Sequence, residues 1–542
     1  MPAYLVAVDV GTRSARAGVF DTSGAMLARA VVPLALVDGP GARAEYASDQ
    51  IWAAVCSAVQ AAVAGSGAAP AEIAGLGFDA TCSLVLRDRT GAPLDLGGGR
   101  DTIAWYDHRA EAEAKACTET GHRLIDHLGG TMSPEMQTPK LMWLKAQRPD
   151  LWSRLGYARD LADDLTARAT GATAASACAL AAKWPYLPDH GGWQRDFLAA
   201  VGLEDLLDRA GLPDSAAPVD RPIGALTPRA ATELGLPPGL PVAAGLIDAY
   251  AGALGTVGLH PAATTGECLT LIAGTSNCIM AITPRPLFAR GLWGPSRDTV
   301  LPGFWTSEGG QSAAGAALEY VLDLWPATGL AARPDHATVL ALIAEALAVQ
   351  GPGFGAGLDV LPDFNGNRSP LSDAAARGVV SGLSLDRSTE GLAALYWRTA
   401  VALALGVRQI VEHLQAAGSR ADSLAIAGGL ARPPLLQQLF ADVTGLRVLR
   451  SEAEDVVLLG TAIAAATAAG LHPDLPGAAR AMARLAKVIE PDPARRETYD
   501  RDYRVMLRMQ EHRAELAALR GSGPAPPANP PPAPPPRRAA GA

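Results

Sequence analysis

Apolar residues come first in short β-type runs separated by polar turns. Tyr4 to Val10 is β-rich and interrupted by Asp9, Gly11-Thr12-Arg13-Ser14 reads as a turn, and Arg16 to Phe20 reads as a returning strand. Asp21 to Gly24 is a second turn and Met26 to Pro33 a third strand, which predicts a β-meander. Ser48-Asp49 caps a helix over about 50–63, and Ile73 to Phe78 and Leu84 to Arg87 are strands on either side of Asp79-Ala80-Thr81-Cys82-Ser83. Residues 110–240 read as largely helical. The apolar run ending at Leu246-Ile247 then reads as a buried strand that delivers Asp248 to a small-residue segment with glycines at 252, 255 and 258.

The pattern then starts again. Leu269 to Ala273, the turn Gly274-Thr275-Ser276 and Cys278 to Ile282 repeat the strand, Gly-Thr, strand order of 7–20, which predicts an internal duplication. Glu308-Gly309-Gly310-Gln311-Ser312 leads into a helix over 313–322, and a long helix spans about 389–417. Leu424 to Ala427 is a strand that ends in Gly428-Gly429 ahead of a helix opened by Pro433-Pro434. A charged helix with an apolar stripe of Tyr499, Tyr503 and Met506 runs to about Leu519. Gly521 to Ala542 is Gly/Pro/Ala-rich and is expected to be disordered.

With 542 residues, 49% of them hydrophobic and 19% charged, the chain is long enough for two or more cored domains. A net charge of −9 and a pI near 5.6 argue against a dedicated nucleic-acid binder. The six scattered cysteines form no C-x-x-C pair, so neither zinc nor a disulfide framework is expected. With no membrane-length apolar run and no secretory signal, a soluble cytoplasmic enzyme is the expectation.

Candidate chemistry sits at strand ends. An acid there is costly to bury without a partner or a task. Asp248 is therefore either a cap for the next helix or a working carboxylate. Gly-Thr turns at 11–12 and 274–275 can offer backbone N–H groups and a hydroxyl to phosphate, and two of them facing each other could clamp one polyphosphate. Residues 100–109 read as a strand placing Trp105, Asp107 and Arg109 on one side. That face suits a polyhydroxylated ligand; the alternative is an Asp–Arg pair that holds a loop.

These segments, in this order over roughly residues 4–490, resemble the FGGY-type carbohydrate kinases of the actin/Hsp70/sugar-kinase superfamily. The matching residues are Val8-Asp9-Val10-Gly11-Thr12-Arg13-Ser14, Trp105-x-Asp107-x-Arg109, Asp164-Leu165 with Thr170-Gly171, Gly245-x-x-Asp248-Ala249, Gly274-Thr275-Ser276, Glu308-Gly309-Gly310-Gln311-Ser312 and Gly428-Gly429. Thr81-Cys82-Ser83-Leu84-Val85-Leu86 is similar to a motif of the ribulose-kinase branch, in particular D-ribulokinases, with Leu86 in place of Val; Gly366-Asn367-Arg368-Ser369-Pro370 also resembles a turn of that branch. Pro433 stands where many relatives have Asn, so an adenine contact from that position is not carried over.

The resemblance implies an α/β fold with two actin/Hsp70-like (ribonuclease H-like) domains flanking a catalytic cleft. A sugar-binding N-terminal domain would span 1–258 and a nucleotide-binding C-terminal domain 259–490, followed by a helix over 491–520. It implies ATP-dependent phosphorylation of a pentulose, D-ribulose to D-ribulose 5-phosphate, with Asp248 as general base. Mg²⁺ would be held at Asp9 and Asp248. Cys82, Trp105, Asp107, Arg109, Lys183, Asp248 and Glu308 would contact the sugar. Gly11, Thr12, Arg13, Gly274, Thr275, Ser276, Gln311, Gly428 and Gly429 would contact ATP. Sugar and ATP are the expected partners, without nucleic acid or membrane, and a homodimer is among the expected assemblies. L-ribulose, xylulose or another polyol is the alternative substrate, and a non-catalytic ATP-dependent sugar sensor is the alternative of another class.

Overall fold

The computed structural model describes residues 3–39, 43–260, 267–324 and 333–521. Of the Pro-rich segment expected to be disordered, all but Gly521 lies outside the described residues. The fold is two-domain α/β, and two sheets share one plan. In the first, β1 (Tyr4–Val10), β2 (Ser14–Asp21) and β3 (Met26–Pro33) form an antiparallel meander. β4 (Ile73–Ala80) runs parallel to β1 on its other side, followed by β6 (Pro241–Ala243) and β5 (Pro222–Ala225). β7 (Leu246–Ile247) pairs with the end of β4 and passes into α1 (Asp248–Val257).

The second sheet repeats this order. β8 (Cys268–Ala273) pairs antiparallel with β9 (Asn277–Thr283), beyond which lie β11 (Trp305–Gln311) and β10 (Trp293–Arg297). On the other side of β8 come the parallel strands β12 (Ser423–Ala427) and β13 (Arg447–Ser451), and then β14 (Leu485–Ile489). Central β1 is apolar on both faces except at Asp9, as a strand covered on both sides must be, whereas edge strand β3 alternates half-buried and exposed positions.

The lobes are joined by two helices. α3 (Val456–Ala468) is apolar all round and almost wholly buried, and it packs on β1 and β4 of the first sheet and against α1. α1 in turn packs on β8 of the second sheet. Close approach is permitted by glycines: a Cβ on Gly75 or Gly77 of β4 would sit 2.7 Å from a carbonyl oxygen of α3, and one on Gly460 of α3 would overlap the backbone of Ala251. The long helix α2 (Thr389–Ala416) receives the C-terminal helix α4 (Arg496–Leu519), which buries Tyr499, Tyr503 and Met506 and is pinned by Arg398–Asp502 and Arg408–Asp500 ion pairs of 2.6 Å.

Residues 110–240 are less uniformly helical than their sequence reads. Short helices are interrupted by the strand Leu155–Asp160, which pairs with Leu84–Asp88 in a small side sheet. Among the described residues, no helix is long and apolar enough to cross a membrane.

Candidate active site

Register assembles the carboxylates. Asp9 lies opposite Arg16 on β2 and opposite Asp79 on β4, and β7 pairs with the last residues of β4 before releasing Asp248 as the first residue of α1. Arg16 pairs with Asp9 and also reaches Asp455 at 3.6 Å, while Thr461 of α3 donates its hydroxyl to Asp79. Asp248 is half-buried, and its Oδ1 accepts the Ala249 N–H at 2.8 Å, so it does cap its helix as the plainer reading has it. Its second oxygen remains for other work.

Burial pushes the Asp9 carboxyl up to about 7 against the pull of Arg16, with Asp455 and Asp248 adding to the rise. Burial also raises Asp79 well above the carboxylate range, assisted by Asp9, and raises Asp248. Neither Asp9 oxygen nor Asp79 Oδ1 receives a directed hydrogen bond. Crowded, incompletely satisfied buried carboxylates of this kind fit a hard divalent cation, which prefers oxygen ligands and offsets like charge. Arg16, Asp79 and Asp455 were not among the residues singled out from sequence. The signal for Arg16 was available, because the hairpin around Gly11-Thr12 sets it across from Asp9.

The two Gly-Thr turns are built alike. The Gly11 N–H donates to Ser14 O (3.0 Å) and the Gly274 N–H to Ser276 O (2.9 Å), so each glycine N–H is consumed within its own turn. Thr12 is tied to its own lobe: its Oγ1 accepts the Trp105 indole N–H at 3.0 Å and its carbonyl accepts the Tyr46 hydroxyl at 2.8 Å. Thr275 O accepts the Ala314 N–H at 2.8 Å. Gly428, at φ +94°, abuts the backbone of Ala273, which brings Gly428-Gly429 beside the Gly274 turn. Arg13 and Gln311, both expected at the nucleotide, have partners within the protein. Arg13 is exposed and pairs with Asp38 at 3.1 Å, and the Gln311 amide is held between Asn277 (2.7 Å) and Leu403 O (3.2 Å).

The expected face of Trp105, Asp107 and Arg109 is corrected. The strand covers only Thr102–Ile103, residues 105–109 are turns and irregular chain, and alternation therefore does not apply. Asp107 is fully buried and accepts from the Ala44 N–H (2.7 Å) and from the Arg109 Nε (2.9 Å), and Arg109 also pairs with Glu45 at 2.7 Å. This is the loop-holding pair, with Arg109 stacked 4.8 Å from the Trp143 ring centroid. Trp105 is half-buried beside Thr12.

Lys183 and Glu308 meet across the lobes. Lys183 ends the helix Ala177–Lys183, and its Nζ donates to Glu308 Oε2 on β11 at 3.1 Å, with both groups buried. Burial alone would raise the Glu308 carboxyl, but Lys183 and Arg368 more than offset it and hold it below its ordinary value. Cys82 is buried near Lys183, and burial pushes its thiol up to about 12. Arg368, Tyr250 and Trp293 also gather at Glu308, and sequence alone assigned them no role there.

Comparison with known proteins agrees with this architecture. Residues 4–255 match the N-terminal domain model of the FGGY family of carbohydrate kinases, and residues 269–469 match its C-terminal domain model. An FGGY carbohydrate kinase domain-containing protein of Xenopus laevis is 40% identical over 96% of this chain and 98% of its own length. A D-ribulokinase of Saccharomyces cerevisiae is 34% identical over 86% of this chain and 72% of its own length. Among solved structures, a gluconate kinase from Lactobacillus acidophilus superposes with a TM-score of 0.80 at 20% identity, covering 96% of this chain and 99% of that one. A xylulose kinase from Rhodospirillum rubrum does so at 0.75 and 25% identity, covering 95% and 98%. The chain belongs to the FGGY family of carbohydrate kinases, enzymes that phosphorylate a sugar.

Proposed function

We propose that this kinase phosphorylates D-ribulose at its 5-hydroxyl with ATP and Mg²⁺, Asp248 acting as general base. The observation that carries the base assignment is the placement of Asp248: first residue of α1, half-buried between the lobes, beside Asp9 and Asp79, with one carboxylate oxygen not used by its own helix.

A sugar hydroxyl does not ionise in neutral water, so a carboxylate at hydrogen-bond distance must take its proton as the O–P bond forms. The sugar O5 bonds to the γ-phosphorus, the bond from that phosphorus to the β,γ-bridging oxygen breaks, and ADP leaves. Asp248 accepts the O5 proton. Asp9 and Asp248 would hold Mg²⁺, with Asp79 beside Asp9 as a further oxygen donor, and the ion would neutralise phosphate charge. Arg16, facing Asp9, orients that carboxylate. Lys183 and Glu308 would bond sugar hydroxyls, and the lobes around them exclude water.

D-ribulose is favoured by Thr81 to Leu86, by the small buried Cys82 that sits beside Lys183, and by the relationship to the yeast D-ribulokinase. A site built to bond one hydroxyl strands buried polar groups when an epimer points that hydroxyl away. The expected kcat/KM for D-ribulose therefore exceeds those for L-ribulose and D-xylulose by roughly 10- to 10³-fold, and glycerol is also poorer. A four-substrate comparison under one set of conditions in which another sugar is best would overturn the ribulose reading and leave the family untouched.

A further inference from the structure

Both oxygens of Glu308 are fully engaged. Oε2 accepts from Lys183 Nζ at 3.1 Å and from the Tyr250 hydroxyl at 3.3 Å. Oε1 accepts from the Arg368 guanidinium and from the Cys278 thiol at 3.9 Å. A carboxylate offers about four acceptor directions, so a sugar hydroxyl can bond Glu308 only by replacing one of these donors. Lys183 and Tyr250 belong to the first lobe and Arg368 and Cys278 to the second, and of the two first-lobe donors only Lys183 is a cation.

Arg368 is held firmly. Its side chain is 8% exposed, its guanidinium carbon lies 3.9 Å from the Trp293 ring centroid, and its Nη1 lies 3.6 Å from Cys278 Sγ. Its turn is fastened on both sides: Asn367 Nδ2 donates to Asp363 at 2.9 Å and the Ser369 hydroxyl donates to Gly291 O at 2.9 Å. Lys183 Nζ shares the same indole, 4.3 Å from its centroid. Trp293 is thus a common platform for two cations that share one carboxylate, each on its own oxygen.

We propose that Arg368 is the positioning residue of the sugar site, holding Glu308 charged and turned towards the cleft when Lys183 releases it to bond a sugar hydroxyl. This rests on the reading that Lys183 and Glu308 contact the sugar. Without Arg368, a departing Lys183 would leave a buried carboxylate with no cation, which is strongly unfavourable. Lys183 would then stay on Glu308, and both groups would be lost to the sugar.

The test separates the two substrates. Arg368→Met keeps the stem on Trp293 and removes the guanidinium. The KM for D-ribulose is expected to rise about 10- to 100-fold while that for ATP stays within about 3-fold. Arg368→Lys, which keeps a charge but not the fork, is expected to recover part of that loss, and it carries the test if the Met variant does not fold. Glu308→Gln is measured alongside. A normal sugar KM in the Arg368 variants with a raised one in Glu308→Gln overturns the positioning role alone. A normal sugar KM in Glu308→Gln overturns the sugar-contact reading beneath it. Equal rises in both KM values for the Arg368 variants mark general disruption and also overturn the proposal.

Discussion

Asp248→Asn is expected to bind ATP and sugar nearly as the wild type does and to turn over slower by a factor on the order of 10² or more. Asn keeps the shape of Asp, and its side-chain oxygen can still accept the Ala249 N–H that Asp248 Oδ1 accepts at 2.8 Å, so α1 retains its first turn. What is lost is a basic oxygen for the sugar proton. The loss should fall on kcat, because proton acceptance matters as the O–P bond forms and not in the ground state. Calorimetric binding of each substrate, set beside steady-state turnover, checks both halves. Turnover near that of the wild type would remove Asp248 from the chemistry.

Gly460→Ala is expected to destabilise the protein by about 3 kcal/mol and to lower turnover as well. The new methyl has no room: it would overlap the carbonyl oxygen of Ala251 and lie 2.9 Å from the Gly255 nitrogen, so α1 and α3 would have to separate. Backbone atoms of two packed helices cannot yield as the end of a long side chain can. α1 begins at Asp248, and α3 carries the Thr461 hydroxyl that bonds Asp79, so separation disturbs the site as well as the joint. Gly353→Ala is the control, since nothing lies within 4 Å of its added carbon. Denaturant midpoints for the two variants decide the matter: equal stabilities would mean that the close approach of α1 to α3 carries no weight.

How much of this was legible in the sequence depends on how far apart the interacting residues lie along the chain. The two meanders were legible because their strands are apolar runs closed by Gly-containing turns, and their repetition was visible at Gly11 and Gly274. Asp9 and Asp248 stood out because each interrupts or ends such a run. Asp79 did not, because the apolar run of its strand stops at Phe78; only the β1–β4 register puts it beside Asp9. The side chains of Glu308 and Arg368 meet across 60 positions, which no local pattern reports. Trp105, Asp107 and Arg109 were placed on one face by a rule for extended strands, and the chain turns there instead, so the acid and the arginine satisfy each other. The Gly11 and Gly274 N–H groups are spent within their own tight turns, which the Gly-Thr pairs in sequence do not announce.

The most direct test of the proposed function is the product itself. Mg-ATP and D-ribulose incubated with the enzyme, followed by phosphorus NMR coupled to carbon assignment, should show a phosphate monoester on C5, one ADP per ester, and negligible ATP hydrolysis when the sugar is left out. ADP and inorganic phosphate accumulating at the same rate with and without sugar, and no phosphosugar, would contradict it.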